Sequence, residues 1–180
     1  MKQGFKDAIR TAQVVTHKLM DDGTYPNNER LPLLVYVGVL RLPERNPAAT
    51  VEAVFQTNKW GSSWRNGIYS FHHYHSTAHE VLGIYAGTAR VQFGGEDGPV
   101  VTVEPGDVVI IPAGVAHKNL GASGDFRCVG AYPRGQRPDM NYGETGDRSR
   151  ADERIAQVPL PASDPVHGIG GPLVEHWLVT

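Results

Sequence analysis

Residues 67–87 read GIYSFHHYHSTAHEVLGIYAG, and the fold turns on them. His73 and His75 stand two apart. On a strand, alternate side chains share a face, so both imidazoles project to one side, roughly 6–7 Å apart along the backbone. Ser76–His79 is long enough to turn the chain. Glu80 then opens a second apolar stretch and can face the same interior. Much later, GDVVIIPAGVAH brings His117 to another strand of the same array. Three imidazoles and one carboxylate make a borderline donor set. It suits Fe, Mn, Ni, Co, Cu or Zn, and it suits Ca or Mg poorly. Four protein ligands leave two open positions on an octahedral ion, whereas tetrahedral zinc with the same ligands would be closed and structural.

Outward from this stretch, the chain reads as strand after strand. The expected strands are Ile68–His75, Glu80–Tyr85, Ala89–Phe93, Val100–Glu104, Asp107–Ile111, Val115–Leu120 and Phe126–Tyr132. Gly87, GGEDGP, Pro105-Gly106, Pro112–Gly114 and GASGD separate them as turns. Such close spacing predicts an all-β sandwich or barrel rather than βαβ units. Before it, Gln13–Met20 and the apolar run Leu33–Leu40 are expected to be strands. Asn46-Pro47 offers an N-cap and a first-turn Pro, and Val51, Val54 and Phe55 follow at helical spacing, so a helix is expected over Pro47–Asn58. WGSSWRNG reads as loop, as does PRGQRPDMNYGETGD. Ser149–Gln157 reads as a short helix capped by Asp147, and the Pro/Gly-rich tail is expected to wrap the body. Residues 1–12 carry no pattern and are expected to form a loose N-terminus before a single domain over 13–180.

Composition narrows the function. Seventeen basic residues face 19 acidic ones, a net charge of −2, which offers no basic stripe for nucleic acid. Gly (21) and Pro (13) together exceed ordinary usage, as a turn-rich β protein requires. The single cysteine, Cys128, sits in an apolar strand and reads as core. The longest apolar run is far too short to span a bilayer and contains a Pro and a Gly. The opening MKQGFKDAIR shows no apolar signal region, so a cytoplasmic location is expected.

The fixed positions Gly67-x5-His73-x-His75-x4-Glu80-x6-Gly87 resemble the first cupin motif throughout, and Gly106-x5-Pro112-x-Gly114-x2-His117 resembles the second. Asn119 stands two residues after His117, where the usual motif carries its Asn further on. Beyond the motifs, DDGTYPNNERLPLLVY and VGAYPRGQ make the chain similar to the small bacterial single-domain cupins of the YjlB type. That resemblance implies a cupin double-stranded β-helix (jelly-roll) barrel with one or two short helices. It also implies one divalent transition metal on His73, His75, Glu80 and His117, and a homodimer. It implies no settled reaction.

Alternation from the histidines places Tyr69 and Phe71 on the inward face and sends His72 and Tyr74 outward. Leu82 and Ile84 should face inward beyond Glu80. Tyr69, Phe71, Tyr132 and Arg134 are the expected pocket residues; Arg134 could hold a carboxylate or phosphate by a bidentate contact. His79 is the candidate general base if it reaches the rim from the turn. Arg65, between Trp64 and Asn66, carries the same two readings as Arg134, substrate anchor or solvated loop residue. The expected function is a metal-dependent enzyme on a small organic molecule, by dioxygen insertion or by isomerase or lyase chemistry. The alternative is a non-catalytic binding or sensor cupin with a structural metal.

Overall fold

A computed structural model describes residues 7–11 and 13–178. Nine strands carry the fold: β1 Gln13–Leu19, β2 Asn28–Val37, β3 Trp60–Asn66, β4 Glu80–Ala86, β5 Ala89–Phe93, β6 Val100–Val103, β7 Val108–Ile111, β8 His117–Ala122 and β9 Arg127–Pro133. They form two antiparallel sheets, ordered β1-β2-β7-β4-β9-β3 and β6-β5-β8. The fold is therefore mostly β in two sheets, as the turn-rich composition implied.

The run LLVY (33–36) in β2 is buried on both faces, which is why it shows no polar alternation. Leu33 and Val35 point between the sheets, where they meet Leu82, Ile84, Val109, Ile111, Phe93 and Cys128. Leu34 and Tyr36 point outward into a second core under the helix α1 (Pro47–Thr57) and the C-terminal tail. Val51, Val54 and Phe55 supply the helix side of that core, and Val166, Leu173 and Trp177 supply the tail side. Gly83 of β4 faces the helix; a Cβ there would lie 2.4 Å from Val51 Cγ1 and 2.8 Å from Phe55 Cζ. Gly83→Ala should therefore overpack this layer and cost about 1–3 kcal/mol, read as a lower denaturant midpoint; an unchanged midpoint would show that the helix yields freely.

One buried carboxylate anchors the tail. Asp164 is fully buried. Its Oδ2 accepts the Tyr36 hydroxyl at 2.5 Å and the Leu173 amide at 3.0 Å. Its Oδ1 accepts the amides of Val166 and His167 at 2.8 and 2.9 Å. The Trp177 indole donates to the Pro32 carbonyl at 2.9 Å, so the tail is tied to β2 at two places. The wrapping tail expected from its Pro/Gly content is thus a built second layer that ends in a π-helical turn at Val174–Leu178.

Several sequence expectations need correction. WGSSWRNG is not a loop: it contains β3, which pairs with β9 from Trp60↔Pro133 to Asn66↔Cys128. Ser62 at φ 52° sits in a register shift between Gly61 and Trp64, and that bulge hides the alternation that marks a strand. Conversely, Ile68–His75 is no continuous strand. Only His73 and Tyr74 make bridges, to His117 and Asn141. β2 begins at Asn28, inside the expected turn, and ends before Gly38, whose φ of 60° stops it. Asn46 takes the N-cap position in a left-handed conformation without a side-chain cap bond. Asp147 likewise does not cap the second helix, α2 (Arg148–Gln157); its Oδ2 accepts the Glu144 amide of the preceding turn. The expected loose N-terminus falls partly outside the described residues, at 1–6 and 12. Within its described part, the Arg10 amide donates to Val39 and Ala8 accepts from Arg41, both at 2.8 Å.

Candidate metal centre

His73 and His117 face each other across a short antiparallel bridge, each amide donating to the other's carbonyl at 3.3 and 3.0 Å. β4 starts at Glu80 and runs between β7 and β9, which points its first carboxylate toward the same interior. The ligand-type nitrogens of His73, His75 and His117 lie within 4.8 Å of one another, and all three residues are buried. Glu80 Oε2 lies 3.3 Å from His75 Nε2 and 3.2 Å from His117 Nε2. The four side chains that the motifs bring together in sequence are therefore together in space.

The outer ring nitrogens decide what the inner ones can do. His73 Nδ1 lies 3.3 Å from the Phe71 carbonyl, His75 Nδ1 2.5 Å from the Asp139 carbonyl, and His117 Nδ1 3.1 Å from the Val115 carbonyl. A carbonyl only accepts. Each neutral ring must then carry its proton on Nδ1 and turn an Nε2 lone pair inward. Glu80 Oε2, at the same centre, has no hydrogen-bond partner. With all three rings neutral, lone pairs and a buried carboxylate oxygen thus converge with no donor among them, an arrangement that is costly unless a proton or a metal cation sits there.

The electrostatics agree. Burial and the neighbouring His117 hold the His73 imidazole down at about 3, so it stays neutral. Burial also opposes charge on His75, but the Glu80 carboxylate prevails and raises it. Burial would likewise raise Glu80, yet His75 and His117 hold it well below the usual carboxylate range. The centre favours a carboxylate beside positive charge. The donor set, the tautomers and the orphaned oxygen all fit a divalent transition metal.

These groups form the floor of a cavity of ≈ 490 Å³ walled by Trp64, Ile68, Tyr69, Leu82, Tyr132 and Met140, among others. Tyr132 is 7% exposed. Its oxygen accepts the Trp64 indole N–H at 2.8 Å, and burial together with Glu80 pushes its phenol up, so it keeps its proton. Asp139, which sequence reading left inside a loop, props up this wall. Its carboxylate accepts the Ser76 amide at 2.6 Å and the Asn141 amide at 3.0 Å, while its carbonyl orients His75. No motif announces Asp139; only the fold returns the 137–141 segment to the histidines.

Residues 66–129 match the Cupin domain family. Over 163 residues the chain is 41% identical to the uncharacterized protein YjlB of Bacillus subtilis (strain 168), covering 91% of this chain and 96% of that protein. The chain belongs to the cupin family, YjlB type. Remote likenesses among solved structures include acireductone dioxygenase from Bacillus anthracis. It is 17% identical with a TM-score of 0.40, and the match covers 70% of this chain and 82% of that one. Procruciferin, an 11S globulin from Brassica napus, is 19% identical with a TM-score of 0.37. That match covers 63% of this chain but only 23% of the globulin's length.

Other expected site residues of this cupin lie elsewhere. His79 does not line the cavity of the metal centre. Its Nδ1 accepts the Ala113 amide at 2.9 Å and its ring packs on Trp177 at 4.9 Å, because the residue before Glu80 points to the opposite face. It therefore stands between β4 and the tail, away from the metal centre. Arg134 is exposed and does not line the cavity either. Arg65 does line it, but its guanidinium forks onto Glu52 with two bonds of 2.7 Å. Tyr69 lines the cavity at its mouth, 55% exposed, while Phe71, 42% exposed and stacked on Tyr69, does not line the cavity; neither is on an inward strand face. His72 and Tyr74 do point away from the metal cavity, yet they are buried, with Tyr25 packed against both rings. Leu82 and Ile84 do face inward. Among the described residues no helix is long and apolar enough to cross a membrane.

Proposed function

We propose that this cupin is a metal-dependent enzyme acting on a small organic molecule, with one divalent transition metal held by His73, His75, His117 and Glu80. The observation that carries this reading is the set of inward Nε2 lone pairs facing an unpartnered buried carboxylate oxygen at the floor of an open cavity. When bound, such a metal supplies Lewis acidity and, if redox-active, access to dioxygen chemistry. The chain's own residues supply the rest. The backbone carbonyls of Phe71, Asp139 and Val115 fix the three tautomers. Trp64 donates to the Tyr132 oxygen, so the phenol proton turns away from the indole and can serve Glu80 or a substrate oxygen. Leu82, Ile68 and Trp64 keep the walls apolar, which strengthens every polar contact made at the floor. Open room above four ligands favours catalysis over a closed structural site.

The test is reconstitution with Fe, Mn, Ni, Co, Cu and Zn in turn under anaerobic conditions, followed by elemental analysis and a substrate screen with oxygen uptake measured. The expected result is close to one metal per chain, with turnover for at least one metal. A chain that takes up none of them would end the metal reading. A chain that loads fully but turns over nothing, with no displaceable ligand on its metal, would mark a structural site.

A further inference from the structure

Resting on that reading of the metal centre, we infer that the cavity selects a planar, aromatic or conjugated ligand carrying at most one negative charge, and rejects phosphorylated ligands. Two independent observations lead there.

The first is the charge around the cavity. Among its lining residues the single cation is Arg65, whose Nε and Nη2 each donate to Glu52 at 2.7 Å. The lining acids are Glu80 and Asp139. The Asp139 carboxylate accepts the Ser76 amide and the Asn141 side-chain amide, and Arg154 stands 3.5 Å from its Oδ2. A divalent ion against Glu80 leaves one positive charge at the floor. A singly charged ligand neutralises it. A phosphate group would bring further negative charge into a site whose one lining guanidinium is already paired with Glu52, next to the Asp139 carboxylate. The donors that remain, such as the Tyr132 hydroxyl, suit a single oxygen rather than a phosphate.

The second is the mouth. Tyr69 and Phe71 stack on each other at 4.9 Å with 21° between their planes, although both are largely exposed. Tyr69 stands edge-on to the His73 ring at 5.2 Å, and Phe71 does so at 5.9 Å. Tyr142, 48% exposed, extends the cluster from Phe71 at 5.8 Å, and Met140, on the cavity wall, is 38% exposed. Exposed rings gathered at the edge of a cavity mark a binding surface rather than core. They continue the apolar wall of Trp64, Ile68 and Leu82 outward from the metal-binding rings. A flat ring whose oxygens reach the floor would lie along this wall and stack on the mouth.

The test uses Co(II)-loaded protein, with elemental analysis before each titration and the cobalt visible spectrum as readout. Three chelating probes separate the terms. Glycolate is a small aliphatic monoanion. 3-Phosphoglycerate keeps the α-hydroxy carboxylate head of glycolate and carries a phosphate on the far carbon. Tropolone is a planar conjugated monoanion. Intrinsic chelation is removed by dividing each probe's affinity for the loaded protein by its affinity for aqueous Co(II). The Tyr69→Ala/Phe71→Ala double variant should weaken tropolone about fivefold to tenfold, the worth of one or two ring contacts, and leave glycolate unchanged. So normalised, 3-phosphoglycerate should bind wild type no more tightly than glycolate does. A tropolone-to-glycolate ratio unaltered by the double variant, or normalised 3-phosphoglycerate binding tenfold tighter than glycolate, would overturn the inference while the metal stays in place. A chain that takes up no cobalt would overturn the metal reading itself, so the two failures are distinguishable.

Discussion

Asp164→Ala should lower stability by about 3–5 kcal/mol, because it strands several buried donors at once. The side chain takes one hydroxyl and three backbone amides in a place water does not reach. Alanine offers none of them an acceptor. Each stranded donor costs its own desolvation, and partial collapse of the tail recovers some of the sum. For a domain whose whole stability is of order 5–15 kcal/mol, this is a large share, equivalent to a fall in Tm of roughly 10 °C. The packing partner is also specific: Gly171 lies so close that a Cβ on it would stand 2.4 Å from Asp164 Cβ. Asp164→Asn keeps Oδ1 and its two amides while replacing the acceptor of Leu173 and Tyr36, and should fall between wild type and alanine. Tyr36→Phe removes one donor with its bond and should cost about 1 kcal/mol. Denaturant titration followed by tryptophan fluorescence reads all three, since Trp60 and Trp177 both lie in the affected core. An alanine variant within 1 kcal/mol of wild type would mean that the tail is not anchored there.

The second large effect is expected at the metal centre. His75→Ala should take metal content from near one per chain to below one tenth under conditions that saturate wild type. Residues that merely support a ligand change affinity by roughly 10–100-fold, and deleting a ligand should exceed that. The loss extends beyond His75, because Glu80 Oε2 then keeps only His117 at 3.2 Å beside it. His72→Ala is the matched control. It is three positions away, buried to a similar degree, and packed on Tyr25 at 5.2 Å instead of facing the cavity. That variant should lose some stability and keep its metal. Because cation binding stabilises the folded form by mass action, wild type should gain thermal stability on loading and His75→Ala should not. Equal metal content in the two variants would remove His75 from the centre.

Part of this molecule was legible in the amino-acid order. Strand spacing, turn residues and the two-apart histidines pointed to a β container with four converging donors. Those signals are local: alternation on a strand and the need of tight turns for Gly and Pro act over a few residues. Trp60–Asn66 escaped because a left-handed Ser62 breaks the alternation, and Ile68–His75 was overread because an alternating pattern says nothing about whether a partner strand is there to bond it. His79 shows the same limit. Its neighbour Glu80 reaches the floor of the cavity, while a one-residue change of face sends His79 to Trp177.

What the order of residues determined by itself was the alternation of faces, the donor types and the near-neutral charge. Tertiary structure alone decided which ring nitrogens turn inward, since carbonyls from Phe71, Asp139 and Val115 set the tautomers across chain separations of 2 to 64 residues. It also decided that Asp164, in a stretch that reads as an irregular tail, anchors a second hydrophobic layer to Tyr36, 128 residues away. Hydrogen bonds of that reach leave no periodic trace in sequence, because they depend on where the closed chain brings each acceptor and not on its neighbours in order.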